Sequence, residues 1–211
     1  TLHDLRENPA VPYEDDEVTR IIQDDLNETI YHEIQNWTVS ELREWILKDE
    51  TTSSDIRRIS RGLTAEMAAA VAKLMGSLDL ITAASKIVVT AHCNTTIGLP
   101  GTLSCRLQPN HTTDDPDGIL ASLLEGLSFG AGDAVLGLNP VTDSTERLGE
   151  ILRRFDEVKR RFSIPTQTCV LGHVTTQMAA ISQGAPADLI FQSIAGSQKA
   201  NEAFGITAAL L

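Results

Sequence analysis

Residues 133–174 read DAVLGLNPVTDSTERLGEILRRFDEVKRRFSIPTQTCVLGHV, and this stretch decides the fold. DAVLGLNPV at its start and QTCVLGHV at its end are short apolar runs of the kind that suits strands buried on both faces. Between them Ser144 precedes Leu148, Ile151, Leu152, Phe155, Val158 and Phe162. Steps of three and four put these on one helix face, and Pro165 ends the helix. Strand, helix and strand in succession predict a βαβ unit and a parallel sheet. Working outward, KIVVTA (86–91) and DLIFQSI (188–194) read as two further strands. Asp115 before Pro116 is a cap and a first-turn proline leading into Ile119, Leu120, Leu123, Leu124 and Leu127. LEGLSFGAGDA (124–134) reads as a helix end and turn, and Thr176–Ser182 as a short helix stopped at Gly184. The predicted class is α/β, either a barrel or an open doubly wound sheet.

The first third has a different texture. Val18, Ile21, Ile22, Leu26, Ile30 and Ile34 make one apolar helix face. Thr38 and Glu41 have capping-box spacing ahead of Leu42, Trp45 and Ile46. KDETTSSD (48–55) is a polar connection. Ile56, Ile59, Leu63, Met67, Val71, Leu74, Met75 and Leu78 then continue a helical period, broken at Gly62. Residues 1–85 therefore read as a helical segment ahead of the α/β part, 86–211.

Composition excludes several classes. Of 211 residues, 42% are hydrophobic and 22% charged, an ordinary globular balance. Seventeen basic residues against 29 acidic give a net charge of -12, which repels phosphate backbones and argues against nucleic-acid binding. No run approaches the roughly 18 apolar residues of a membrane helix. The opening TLHDLRENP has no signal-peptide pattern. The closing ITAALL is apolar without a helix stop, and this predicts an internal fragment. Cys93, Cys105 and Cys169 are widely spaced without a CxxC pair, which predicts free thiols in a reducing compartment. The four Asn-x-Thr sequons at Asn27, Asn36, Asn94 and Asn110 then read as chance.

In parallel α/β folds ligands meet the carboxyl ends of the strands. The loop after the first expected strand holds Arg106, Gln108, Asn110, His111 and Asp114. The second strand ends in Asn139-Pro140, the third in Gly172-His173 with Thr175 and Thr176, and the fourth in Gln192-Ser193. Such convergence suits a small hydrogen-bonding substrate. Arg106 and Gln108, two apart, share a face if the chain is extended; the alternative is that Arg106 clamps the loop through Asp114 or Asp115. Asn139 is either a ligand or a turn residue. Gln192 interrupts an apolar strand and needs a partner, from protein or ligand. His92, His111 and His173 lie near strand ends, but no HxH, HExxH or Cys pair supports a metal site, and none is expected. P-loop, GxGxxG and GxSxG motifs are absent, and Cys169 reads as a packed small hydrophobe.

Four strings carry more than pattern: NTTIGLPGTLSCRLQPNHTTDDP (94–116), EGLSFGAGDAVLGLNPVTDS (125–144), IPTQTCVLGHVTTQMAAI (164–181) and GAPADLIFQSIAGSQKANEAFGI (184–206). They closely resemble the heavy (large, catalytic) chain of ethanolamine ammonia-lyase, and the likeness runs over nearly the full chain. The resemblance implies a (β/α)8 TIM barrel, with its first four βα units in 86–211 and the remainder beyond Leu211, behind a helical segment. It implies an adenosylcobalamin-dependent radical lyase that converts ethanolamine to acetaldehyde and ammonia. Matched residue by residue, Arg106 is the catalytic donor to the substrate hydroxyl and Arg106, Gln108 and Asn139 bind substrate. Pro140, Gln192 and Ser193 match cofactor contacts. The acidic ligands of the substrate ammonium belong to later strands. In this family the cofactor keeps its own base on cobalt, so no axial histidine is needed. A small-chain partner, a heavy-chain oligomer and a cytosolic location, often in a protein-shelled microcompartment, follow from the same likeness; the acidic N-terminal helices are candidates for heavy-chain contacts. The segment by itself is expected to be inactive. The rival reading is a truncated, barrel-derived module that serves assembly or small-ligand binding without catalysis.

Overall fold

The computed structural model describes residues 1–211. The chain divides into two compact units, one formed by Thr1–Val88 with Ile194–Leu211 and the other by Val89–Ser193. No helix is long and apolar enough to cross a membrane.

The first unit is helical. It carries α1 (Leu2–Glu7), α2 (Glu17–Asp24), α3 (Glu28–Ile34), α4 (Val39–Leu47), α5 (Ser53–Ser60), α6 (Ala65–Lys73) and α7 (Ser77–Lys86). The single helix face expected over Val18–Ile34 is two helices. The break falls at Asp25–Asn27, where the Asn27 side chain accepts from Ile30 N at 3.1 Å and starts α3 afresh. Thr38 and Glu41 form the expected capping box: Glu41 N donates to Thr38 Oγ1 at 3.1 Å and Thr38 N to the Glu41 carboxylate at 2.7 Å. Thr52 and Asp55 repeat that device at α5. Leu2, Tyr31, Ile34, Leu42 and Met67 are the fully buried centre of this unit's core.

The second unit contains a parallel sheet of three strands, β3 (Arg106–Leu107), β4 (Val135–Leu138) and β5 (Thr168–Val170), in that spatial order. Arg106 pairs with Val135, Leu136 with Thr168 and Leu138 with Val170. The connections are α8 (Pro116–Ser128) and α9 (Thr145–Arg161), and α10 (Val174–Ser182) follows β5. The first two helices begin where the sequence places a cap: Asp115 accepts from Gly118 N at 2.8 Å and Ser144 from Arg147 N at 3.2 Å, whereas α10 starts two residues before the expected Thr176. Leu136, Leu138 and Val170 project from one sheet face into a core with Ile119, Leu123, Leu148, Ile151, Leu152 and Phe155. The opposite face carries Arg106, Val135, Gly137, Asn139 and Cys169, by the alternation of side chains along a strand.

Two expected strands differ. KIVVTA (86–91) is not a parallel strand: α7 runs to Lys86, Val89 is 71% exposed, and the chain then folds back as a short antiparallel pair, β1 (Ala91–His92) with β2 (Thr96–Ile97). β-branched composition favours extension, but a strand also needs a neighbour for its N–H and C=O groups, and in this run only the last residue, Ala91, has one, opposite Ile97. The first parallel strand is instead Arg106–Leu107, inside the stretch read as a loop. DLIFQSI (188–194) lies beside β5, with Asp188 N and Leu189 N both donating to Thr168 O at 3.2 and 3.1 Å, but builds no ladder. The α/β class holds; the parallel sheet has three strands, so three βα units form rather than four and no closed barrel is found.

Candidate functional site

The helix-free face of the sheet ends, at the carboxyl ends of its strands, in a polar cluster within the second unit. Leu107 packs into the helix-side core, so Arg106 and Gln108 project from the other face. The Arg106 guanidinium lies across Gly137 of the neighbouring strand and donates through Nη2 to Asn139 Oδ1 at 3.3 Å. Its Cζ sits 5.5 Å from the Phe191 ring centre, in cation–π range. Its Nε is buried without a hydrogen-bond partner. Cys169, paired in register with Gly137, is on the same face. Burial pushes its thiol up, and the positive charge of Arg106 opposes part of that rise.

The loops around this cluster are fixed by side chains. Asn139 N donates to Asn110 Oδ1 at 3.0 Å, which ties the end of β4 to the loop after β3. The loop clamp weighed for Arg106 does not form. Asp114 instead accepts from Val141 N at 2.9 Å and Thr142 N at 2.8 Å, just past Pro140, while Asp115 caps α8. Asp143 accepts from His173 N at 3.1 Å. Gln192 has a protein partner: its Oε1 accepts from Val174 N at 2.9 Å and its Nε2 donates to Ser193 O at 2.9 Å. Gln177 holds Phe191 by its main chain, accepting from Phe191 N at 3.2 Å and donating to Phe191 O at 2.6 Å.

Arg106 and Asn139 are therefore in direct contact. Gln108 is exposed beside them, Pro140 half-buried, Gln192 half-buried behind them and Ser193 exposed. The histidines are engaged locally: His92 Nδ1 meets Thr96 Oγ1 at 2.9 Å, His111 Nδ1 accepts from Asp115 N at 3.2 Å, and His173 Nδ1 meets Thr175 Oγ1 at 2.7 Å. No group of three or more His, Cys, Asp or Glu side chains is arranged to hold a metal ion. All three cysteines are free thiols, and Cys169 is buried.

Sequence reasoning passed over Gly137 and Phe191. The signal for Gly137 was in plain view, a glycine inside the buried run VLGL, which marks a bulge or a close approach. Phe191 had no local signal, since its partner lies far away in sequence.

The parallel sheet with its helices defines the class, an α/β protein, and a charged donor, two carboxamides and an aromatic ring gather beside its strand ends as the candidate site. The family follows from comparison with known proteins. The family model described as Ethanolamine ammonia lyase large subunit (EutB) matches residues 1–211. The ethanolamine ammonia-lyase large subunits of Escherichia coli K12 and of Salmonella typhimurium LT2 are each 56% identical over 211 residues, all of this chain and 47% of theirs. The chain belongs to the ethanolamine ammonia-lyase large subunit family, and it spans about half the length of the curated relatives it matches.

Proposed function

We propose that the protein is, over its family's full length, the large subunit of an ethanolamine ammonia-lyase that releases ammonia and acetaldehyde from 2-aminoethanol, using adenosylcobalamin and a small-subunit partner. One observation carries the reading. Arg106, the first residue of the half-buried strand β3, makes one hydrogen bond to protein, from Nη2 to Asn139, so it keeps a charged donor for a ligand oxygen. Within this reading Arg106 donates to the substrate hydroxyl. With Asn139 Oδ1 already taken, the Asn139 amide N–H is left to donate to the same oxygen. The Gln108 carbonyl accepts from the amino end. Donors fixed before the reaction begins stabilise developing charge without reorganising.

The residues also fit the rim of a large cofactor fringed with amides. Ser193 is exposed, Gln192 Nε2 keeps a second hydrogen, and Val141 and Ile190 offer exposed apolar surface (67% and 53%). Pro140, Gln192 and Ser193 would be its contacts from this chain. When bound, adenosylcobalamin supplies a cobalt–carbon bond that cleaves homolytically, the source of radical chemistry. The chain's part is to bind and orient substrate beside it and to keep water away.

We further place the segment as the first part of a (β/α)8 barrel, a placement supported by three parallel strands with helices on one face. A heavy-chain oligomer and a cytosolic, microcompartment-associated location rest on family likeness alone. The test is ammonia release by the full-length large subunit with its small subunit. Release that requires added adenosylcobalamin is the expected result. Binding of 2-aminoethanol without any release would favour the non-catalytic module instead.

A further inference from the structure

We infer that Gly137 is a positioning residue for Arg106: its missing side chain is the slot in which the guanidinium rests. The inference builds on the reading of Arg106 as the substrate-gripping group. Glycine weakens a buried strand, so a reason for its presence is required. Backbone conformation does not provide one, because Gly137 is not among the positive-φ glycines of the chain. Space does. A Cβ at 137 would lie 2.7 Å from Arg106 Nε, 2.7 Å from Nη2 and 2.8 Å from Cζ, and these are its three nearest heavy atoms. All three belong to the far end of one flexible side chain. An alanine at this position therefore leaves the strand in place and moves the guanidinium instead.

That displacement breaks what fixes Arg106. Its bond to Asn139 Oδ1 is already long at 3.3 Å, and its approach to Phe191 depends on the same resting place. Asn139 is held independently, through its main chain by Asn110, and Phe191 through its main chain by Gln177. The donor shifts while its neighbours stay. A misplacement of about 1 Å in a substrate-holding group costs on the order of 100-fold in rate.

The experiment is a double-mutant cycle in the full-length large subunit assembled with its small subunit, combining Gly137→Ala and Arg106→Ala, with a crystal structure of each variant. Gly137→Ala is expected to fold, to show the guanidinium moved off residue 137, and to lower kcat/KM by on the order of 100-fold. In the Arg106→Ala background the same substitution is expected to change turnover less than about 2-fold, because the slot is already empty. An equal loss in both backgrounds, or an unmoved guanidinium, overturns the inference. If Gly137→Ala fails to fold, the Arg106→Ala/Gly137→Ala protein is expected to recover folding; failure of both overturns it. If the parent releases no ammonia, the lyase reading falls, and the crystallographic position of Arg106 still decides the slot.

Discussion

Asp114 stands at φ 53°, in the left-handed region that a non-glycine residue enters at a cost, and is 1% exposed. The conformation aims one carboxylate at two successive main-chain donors, Val141 N and Thr142 N, immediately beyond Asn139-Pro140. Hydrogen bonds to a charged group contribute about 1.5–3 kcal/mol, and buried N–H groups left unpaired cost a similar amount. Asp114→Ala is therefore expected to lower the unfolding free energy by about 3 kcal/mol, read from urea titration. Asp114→Asn, which keeps one acceptor oxygen and tolerates the left-handed region, is expected to lose about half of that. Equal stability of Asp114→Ala and the parent would show that the loop is held by other means.

At the scale of elements, the run 188–192 is attached to β5 and α9 chiefly through Asp188. Its carboxylate accepts from Lys159 Nζ at 2.6 Å, Thr168 N at 2.9 Å and Thr168 Oγ1 at 3.0 Å. Burial alone would raise this carboxyl; the hydrogen bonds from Lys159, Asn94 and Thr168 outweigh it and hold it below the usual carboxylate value. A depressed folded-state pKa gives stability that is present above the unfolded value, about 3.9 for Asp, and lost as pH falls through the folded one. Asp188→Asn is expected to lower stability at pH 7 by about 2 kcal/mol and to flatten the loss of stability below about pH 4. Acid titrations that superimpose for parent and variant would contradict this.

The same elements show what was legible in the sequence. The caps at Asp115, Ser144 and Thr38 were readable because a capping residue and the N–H it satisfies lie within three positions of each other. The Val18–Ile34 pattern, read as one helix, hid a second start, since Asn27 interrupts it with a cap of its own. Residues 86–90 of KIVVTA have strand composition without a strand neighbour, and Arg106–Leu107 has a neighbour without a long apolar run. Pairing is settled between distant segments, and local pattern does not report it. Arg106 and Asn139 were recognisable as polar groups at strand ends. Their contact, and the Gly137 slot that permits it, depend on the register that sets Arg106 opposite Val135.

For the molecule as a whole, the family and the α/β character are established, and the chemistry is the claim that needs testing. Residues 1–211 alone, with three parallel strands where a barrel has eight, are expected to release no ammonia when mixed with adenosylcobalamin and the small subunit. Release at a measurable rate by this segment would overturn that expectation. The central claim, that Arg106 grips the substrate oxygen of a lyase, is tested most directly by kcat/KM for 2-aminoethanol in the full-length protein, parent against Arg106→Ala. Loss of one charged hydrogen bond made to the reacting group is worth about 2–4 kcal/mol, so the expected drop is on the order of 100-fold or more with the thermal unfolding midpoint little changed. An Arg106→Ala enzyme with the parent's kcat/KM would contradict the account.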